Sequence, residues 1–221
     1  MTKALLPQAF WFRIAAPCPR VDGLPIRDAR RPLVELPPAS ILPQCARLDG
    51  RLPWAEVGVG WNPGGLAVVI RAEGLGDPKL TADRPENFAD VNLWIDTRDT
   101  RDVARATRFC HRFVVAIQLQ RPGKTLNSEV VHKPIARAIA DPPMARSGQV
   151  ESRAELLRDG WTLEVFLPAA TLNGFDPETN RRLGFAYQIS DHIREDQYLG
   201  VGRDFPIGEN PGLWSTLELR D

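Results

Sequence analysis

The sequence lacks the features that mark several large classes of protein. Its 28 lysines and arginines are balanced by 28 aspartates and glutamates, so it has no basic surplus of the kind that displaces counterions from nucleic-acid phosphates. No run of about 18 consecutive apolar residues, the length that crosses a bilayer, occurs anywhere in the chain. Binding to nucleic acid and insertion into a membrane are therefore not expected.

Cysteine is scarce, and the three residues present are widely scattered (Cys18, Cys45 and Cys110). An odd number without a Cys-x-x-Cys pair favours buried, reduced thiols over a disulfide framework or a zinc site. The first seven residues are too polar, and too interrupted by Pro7, for a secretory signal. Together these features predict a cytoplasmic protein.

Recognisable catalytic motifs are also missing. The sequence has no Gly-x-Ser-x-Gly, no phosphate-cradling glycine loop and no His-Glu-x-x-His. His111, His132 and His192 fall on separate segments without ligand spacing. His111 shares the parity of Phe109 and Phe113, so it is expected to be a buried core residue rather than a ligand. Glu164 and Asp191 remain open as a carboxylate pair for glycoside hydrolysis.

Proline is abundant, and eight of the 20 prolines fall within residues 1–44. Because proline breaks helices and cannot donate to a strand ladder, this stretch is predicted to be an arm that packs on a domain formed by residues 45–221. Segment 9–14 is rich in aromatic and β-favouring residues and is expected to add an edge strand.

From residue 45 onward, short apolar segments alternate with turn residues. Strict alternation of apolar and polar side chains is typical of half-buried strands, as in Val91, Leu93 and Ile95. The predicted strands are 56–61, 65–71, 90–96, 109–118, 149–156, 161–167, 185–189 and 213–219. Single helical turns are expected at 136–140 and 169–172. The pattern predicts an all-β, two-sheet antiparallel sandwich of the jelly-roll or immunoglobulin-like type.

Several of these stretches, taken in order, resemble one family. They are LDGRLPW at 48–54, WNPGGL at 61–66, DVNLWID at 90–96, GWTLE with Pro168 at 160–168, and LGF through Gln188 and Asp191 at 183–191. The set resembles carbohydrate-binding module family 9 and its DOMON-like relatives, over residues 45–221. The resemblance implies a jelly-roll-like sandwich and, for some members, sugar binding assisted by structural calcium.

The chain departs from the family pattern where the ligand would lie. The family holds a terminal sugar between two loop tryptophans, whereas this chain has Phe88 near the first position and no tryptophan in 204–210 near the second. Asn92 stands where the family has a strand glutamate. Some DOMON relatives bind haem through histidine and methionine, but Met144 is the sole methionine beyond Met1, so haem is not expected.

Strand parity places polar residues together on one sheet face. These are Asn92, Trp94, Arg112, Glu164 and Gln188, with Ser190, and the resemblance puts Arg112, Glu164 and Gln188 on the family's concave sheet. One indole among amides and charged groups suits a neutral polyhydroxylated ligand. The alternative is a hydrogen-bonded face covered by the N-terminal arm.

The loop at 96–102 alternates carboxylates with arginines. Asp96 and Asp99, with Asp102, are candidate calcium ligands, since calcium takes six to eight oxygens. The neighbouring arginines favour a solvated or salt-bridged loop instead. The leading hypothesis is thus a non-catalytic module that binds a carbohydrate or similar polar ligand. An interaction domain without a small-molecule site and a glycosidase-like enzyme stay open as alternatives.

Overall fold

A computed structural model describes residues 6, 10, 13–74, 88–120, 125–191 and 193–221. In these residues the chain is all-β, and its helical segments are short 3₁₀ turns at Pro38–Ser40, Cys45–Asp49, Ala169–Thr171 and Pro211–Leu213. Within this part of the chain, no helix has the length and apolar character needed to cross a membrane.

The described residues contain eleven strands. They are β1 (Ala15–Pro19), β2 (Ala55–Asn62), β3 (Gly65–Glu73), β4 (Ala89–Asp96), β5 (Cys110–Gln120), β6 (Thr125–Lys133), β7 (Glu151–Leu157), β8 (Gly160–Pro168), β9 (Arg182–Ser190), β10 (Gln197–Tyr198) and β11 (Ser215–Arg220).

Two sheets divide these strands. The larger has seven strands in the order β1-β11-β9-β4-β5-β6, with β10 pairing to the end of β9, and the smaller has four in the order β2-β3-β8-β7. The pairs are antiparallel apart from β1 with β11, which run parallel. The predicted two-sheet sandwich is confirmed.

The core lies between the sheets and follows the predicted parity. Val91, Leu93 and Ile95 on β4 are fully buried in it. So are the inward residues of the other predicted strands, namely Phe113, Val115, Ile117, Trp161, Leu163, Val165, Leu167, Phe185, Tyr187, Ile189 and Leu217. Alternation identified these residues because one apolar face per strand is buried, and side chains alternate with period two.

Strand β6 and strand β1 do not follow the prediction. The inward positions of β6 include Ser128 and His132, so this edge strand lacks an apolar stripe. The N-terminal strand lies at Ala15–Pro19, after the predicted segment 9–14, of which residues 9, 11 and 12 lie outside the described residues. Pro17 and Pro19 are tolerated there because β1 is an edge strand. The turn predicted at 136–140 is not helical.

Residues 21–36 of the predicted arm (1–44), called the arm below, pack on the outer face of the four-stranded sheet. Leu24 and Val34 form a small cluster with Ala67 and Phe166, whose side chains face away from the core. Leu36 lies over Gly58 and Gly60, where added Cβ atoms would come within 3.4 and 2.7 Å of its methyl groups. The small residues of β2 thus leave room for the arm.

Candidate functional site

Four of the six predicted ligand-binding residues share the outer face of the seven-stranded sheet. In the strand register Asn92 on β4 lies opposite Gln188 on β9, and Trp94 lies opposite Arg112 on β5. Parity fixed this grouping correctly, since all four alternate with core residues on adjoining strands.

Glu164 does not share this face, so that part of the prediction is wrong. It lies on β8 in the four-stranded sheet, beneath the arm, and accepts hydrogen bonds from the backbone N–H groups of Leu33 (2.7 Å) and Val34 (3.4 Å). Burial raises the pKa of Glu164, while the bond from Leu33 opposes the rise. Parity predicts which residues of a strand share one side, but it does not predict which sheet the strand joins.

Phe88 is not available to a ligand either. Its side chain is 4 % exposed and packs in the central core, and its N–H donates to the carbonyl of Ile117. Phe88 immediately precedes β4, so the alternation of that strand does not set its direction. It cannot serve as an aromatic platform in this conformation.

Trp94 is covered as well, although it lies on the predicted face. It is 3 % exposed and belongs to a second hydrophobic cluster, the outer cluster, which consists of Trp94, Ala106, Cys110, Ile135, Ala186, Tyr198, Val201, Ile207 and Trp214. Its indole Nε1 has no hydrogen-bond partner among the described residues. The expected stacking of Trp94 on a sugar is therefore not possible in this conformation.

The cover over Trp94 is chiefly the segment 201–214 rather than the arm. Trp214 Nε1 donates to the carbonyl of Ile207 at 2.7 Å, and a Cβ at Gly208 would lie 3.6 Å from Trp94 Cζ2. Of the described N-terminal residues, Phe10 contacts this cover by stacking on Phe205, with ring centroids 5.1 Å apart, and Arg13 Nη2 donates to the carbonyl of Gly212.

Beside the outer cluster, the same face carries half-exposed polar side chains. Its central residues, the polar strip, are Asn92, Arg112, Gln188 and Asp196. Asn92 Oδ1 accepts from Arg112 Nε (3.1 Å) and Nη2 (2.8 Å), and Gln188 Nε2 donates to Asp196 Oδ2 at 2.8 Å. Tyr198 also donates to Asp196. Burial, followed by the nearby Asp196 charge, raises the pKa of Tyr198 to about 12, so its hydroxyl stays protonated at neutral pH.

Arg112 is the cation of the strip. It is half-buried, its guanidinium carbon lies 5.8 Å from the centroid of the Trp94 ring, and burial lowers its pKa. Lys133 on β6 lies directly opposite it in the register. Lys133 was not among the predicted residues, because β6 was not predicted. Asp196 was not among them either, because it precedes a strand of only two residues.

Asp96 and Asp99 are held by protein donors. Asp96 Oδ1 and Oδ2 accept from the backbone N–H groups of Arg98 (2.9 Å) and Thr100 (2.7 Å). Asp99 Oδ2 pairs with Arg101 at 3.3 Å and Arg182 at 3.1 Å. A calcium ion here would have to displace two arginines. In the described ranges, no group of three histidine, cysteine or acidic side chains could hold a metal.

Two histidines lie on the inner side of the sheet, behind Arg112 and Lys133. The backbone N–H of Ala145 donates to His132 Nδ1 (2.9 Å), which leaves Nε2 of His132 to donate to His111 Nδ1 (3.3 Å) and Nε2 of His111 to donate to the Asn173 carbonyl (3.4 Å). Burial lowers the pKa of both imidazoles to about 4. The predicted core role of His111 is confirmed. His192 lies outside the described residues.

The candidate glycosidase carboxylates do not form a pair. Asp191, at the end of β9, is 3 % exposed and binds Arg194 Nε at 2.6 Å, whereas Glu164 holds the arm on the other sheet.

A cleft of about 610 Å³ lies between the arm and the edge strands β6 and β7. Its three arginines, Arg27, Arg31 and Arg153, are paired with Glu151, Glu35 and Glu155.

Comparison with known proteins identifies the fold. No protein-family model matches the sequence, and no curated protein matches it. Among solved structures, the chain is similar to a carbohydrate-binding module of family 9 from Caldicellulosiruptor kristjanssonii in complex with cellotriose, with a TM-score of 0.56 and 12 % identity over 94 % of both chains. A family 9 module from the same organism in complex with glucose gives a TM-score of 0.49 and 13 % identity, over 75 % of this chain and 76 % of the other. The chain therefore has the two-sheet fold of family 9 modules.

Proposed function

We propose that this chain is a non-catalytic module that binds a carbohydrate at the polar strip. One observation carries the proposal. The outer face of the seven-stranded sheet leaves two amides and a guanidinium half-exposed, side by side on paired strands (Asn92, Gln188 and Arg112). The fold they lie on is that of modules, one of which was solved with cellotriose bound.

The chemistry of the strip suits hydroxyl groups. Asn92 and Gln188 each carry amide donors and a carbonyl acceptor, Arg112 carries only donors, and Asp196 carries only acceptors. A sugar ring presents neighbouring hydroxyls that both donate and accept, so it can bond to all four. Because the indole of Trp94 is covered, little apolar surface is buried, and we expect a dissociation constant on the order of 1 mM.

A second candidate function is an interaction domain without a small-molecule site. The burial of Trp94 and Phe88 favours it, because neither aromatic ring can support a sugar from the positions they hold. A partner protein would then contact the same strip, or another surface, and no sugar would bind.

Titration with a panel of neutral and acidic sugars, including glucose, cellotriose and glucuronic acid, tests the proposal. We expect chemical shift changes in ¹H–¹⁵N NMR spectra at Asn92 and Gln188. Gln188→Ala should weaken binding roughly three- to tenfold, the value of one lost hydrogen bond. The matched control is Gln118→Ala, which removes a half-exposed glutamine from the same face of β5. Absence of binding by every sugar would overturn the proposal in favour of the interaction domain.

A further inference from the structure

The charge of the polar strip is not balanced at Arg112. Within the described residues, its guanidinium bonds only to the neutral amide oxygen of Asn92, and no carboxylate pairs with it. Among the described residues, the other half-buried arginines pair with carboxylates. Arg101, for example, pairs with Asp99, and Arg194 pairs with Asp191.

A second cation increases this imbalance. Lys133 lies directly opposite Arg112 on β6, and opposed side chains of an antiparallel pair have Cβ atoms about 5 Å apart. Like charges at such positions destabilise a sheet. The nearest outward carboxylate of β4 and β6 in the register is Asp96, opposite Cys110 and about 7 Å along β5 from Arg112, but its oxygens accept from the backbone N–H groups of Arg98 and Thr100. Asp90 and Glu129 flank Ala116, which is about 13 Å along β5 from Arg112.

The geometry also leaves donors free. Nε and Nη2 of Arg112 each donate one hydrogen to Asn92 Oδ1. The two hydrogens on Nη1 and the second hydrogen on Nη2 have no acceptor among the described side chains. Arginine binds carboxylates through such parallel N–H pairs, and these charge-assisted bonds are stronger than bonds to neutral oxygens. Asp196, the acid on the other side of the strip, is already bonded to Gln188 and Tyr198.

We propose that the ligand of the polar strip is an acidic carbohydrate, a uronic acid or a chain containing one, whose carboxylate binds Arg112 beside Lys133 while its hydroxyls bind Asn92 and Gln188. The inference rests on the proposed function of the same strip and adds the class of sugar. Asn92 is the residue on which the preference for an acidic sugar depends. A carboxylate at position 92 would pair with the Arg112 guanidinium and neutralise its charge.

Calorimetric titration at low salt with D-glucuronic acid and D-glucose, which differ only at carbon 6, tests the inference. The wild-type chain should bind glucuronate about tenfold more tightly than glucose, with the preference falling as salt is added. Asn92→Glu should remove the preference by giving Arg112 an internal acid. Arg112→Met should remove it by deleting the cation. The control is Arg158→Met, which changes an exposed arginine in the turn before β8 and should keep the preference.

Three outcomes separate the inference from the function on which it rests. Equal binding of glucose and glucuronate would overturn the acidic ligand but keep a carbohydrate site. Binding of acetate as tightly as glucuronate would reduce the site to a simple anion site and would also overturn the inference. Failure of both sugars to bind would overturn the function and the inference together. Circular dichroism of each variant confirms that its fold is intact.

Discussion

The outer faces of the two sheets are covered by different parts of the chain. On the four-stranded sheet, the arm covers Phe166, and Glu164 accepts a hydrogen bond from the backbone of the arm. On the seven-stranded sheet, segment 201–214 seals Trp94 but leaves Asn92, Arg112 and Gln188 half-exposed. A polar residue that points outward from a strand is therefore a structural anchor on one face and a candidate ligand contact on the other. Its role depends on whether another segment of the chain covers it.

Deleting the aromatic anchor under each cover should give the largest loss of stability. Trp94→Ala and Phe166→Ala each remove a side chain that is 3 % exposed, so both should lower the free energy of unfolding by roughly 3–5 kcal/mol. Urea denaturation measures the change. Val131→Ala, at a position 41 % exposed on the same outer face as Trp94, is the control and should cost less than about 1 kcal/mol. A small loss for Trp94→Ala would mean that segment 201–214 is not packed on it.

Acid should destabilise the larger sheet from its inner side, where His111 and His132 are buried. The folded-state pKa of His111 and His132 is about 4, below the unfolded value of about 6.5. As the pH falls below 6.5 the unfolded chain therefore gains protons first, and stability decreases until the pH nears 4. By pH 5 the loss should be roughly 2–4 kcal/mol for the two imidazoles.

Denaturant titrations between pH 7 and pH 4.5 measure this slope, and the histidine ring signals in NMR spectra report the pKa directly. Imidazole signals that titrate near pH 6.5 would contradict the hydrogen-bonded pair.

Removing the acceptor under the arm should have a smaller effect. Glu164→Ala leaves the N–H groups of Leu33 and Val34 without their partner, and a buried unpaired donor costs about 1–3 kcal/mol. Amide hydrogen exchange at Leu33 and Val34 should accelerate. Glu164→Gln keeps a carbonyl acceptor at the same position and should restore most of the protection. Equal protection in the alanine variant would show that the apolar contacts of the arm suffice without Glu164.

The sequence allowed the core to be predicted more completely than the outer faces. Alternation placed Leu93, Phe113 and Trp161 correctly, because the pleat alone decides the side on which each residue lies. The same rule grouped Glu164 with Arg112, since it contains no information on which sheet a strand joins. The cover over Trp94 depends on long-range packing of segment 201–214. A signal for the arm was present in the glycines of β2, at Gly58 and Gly60, where an outward side chain would meet Leu36.

The smallest effect should come from the ion pair at the rim of the arm. Arg27 Nη1 lies 2.5 Å from Glu151 Oε2, but the two side chains are 71 % and 33 % exposed. Exposed pairs contribute about 1 kcal/mol or less, because water screens them and ordering two long side chains has an entropic cost. A double-mutant cycle of Arg27→Ala and Glu151→Ala should therefore give a coupling free energy below about 1 kcal/mol, and limited proteolysis should find the arm as well protected as in the unmodified chain. A larger coupling would mean that surface charge, rather than Glu164 and the cluster around Phe166, holds the arm. Coverage of the outer face of the four-stranded sheet would then depend on salt.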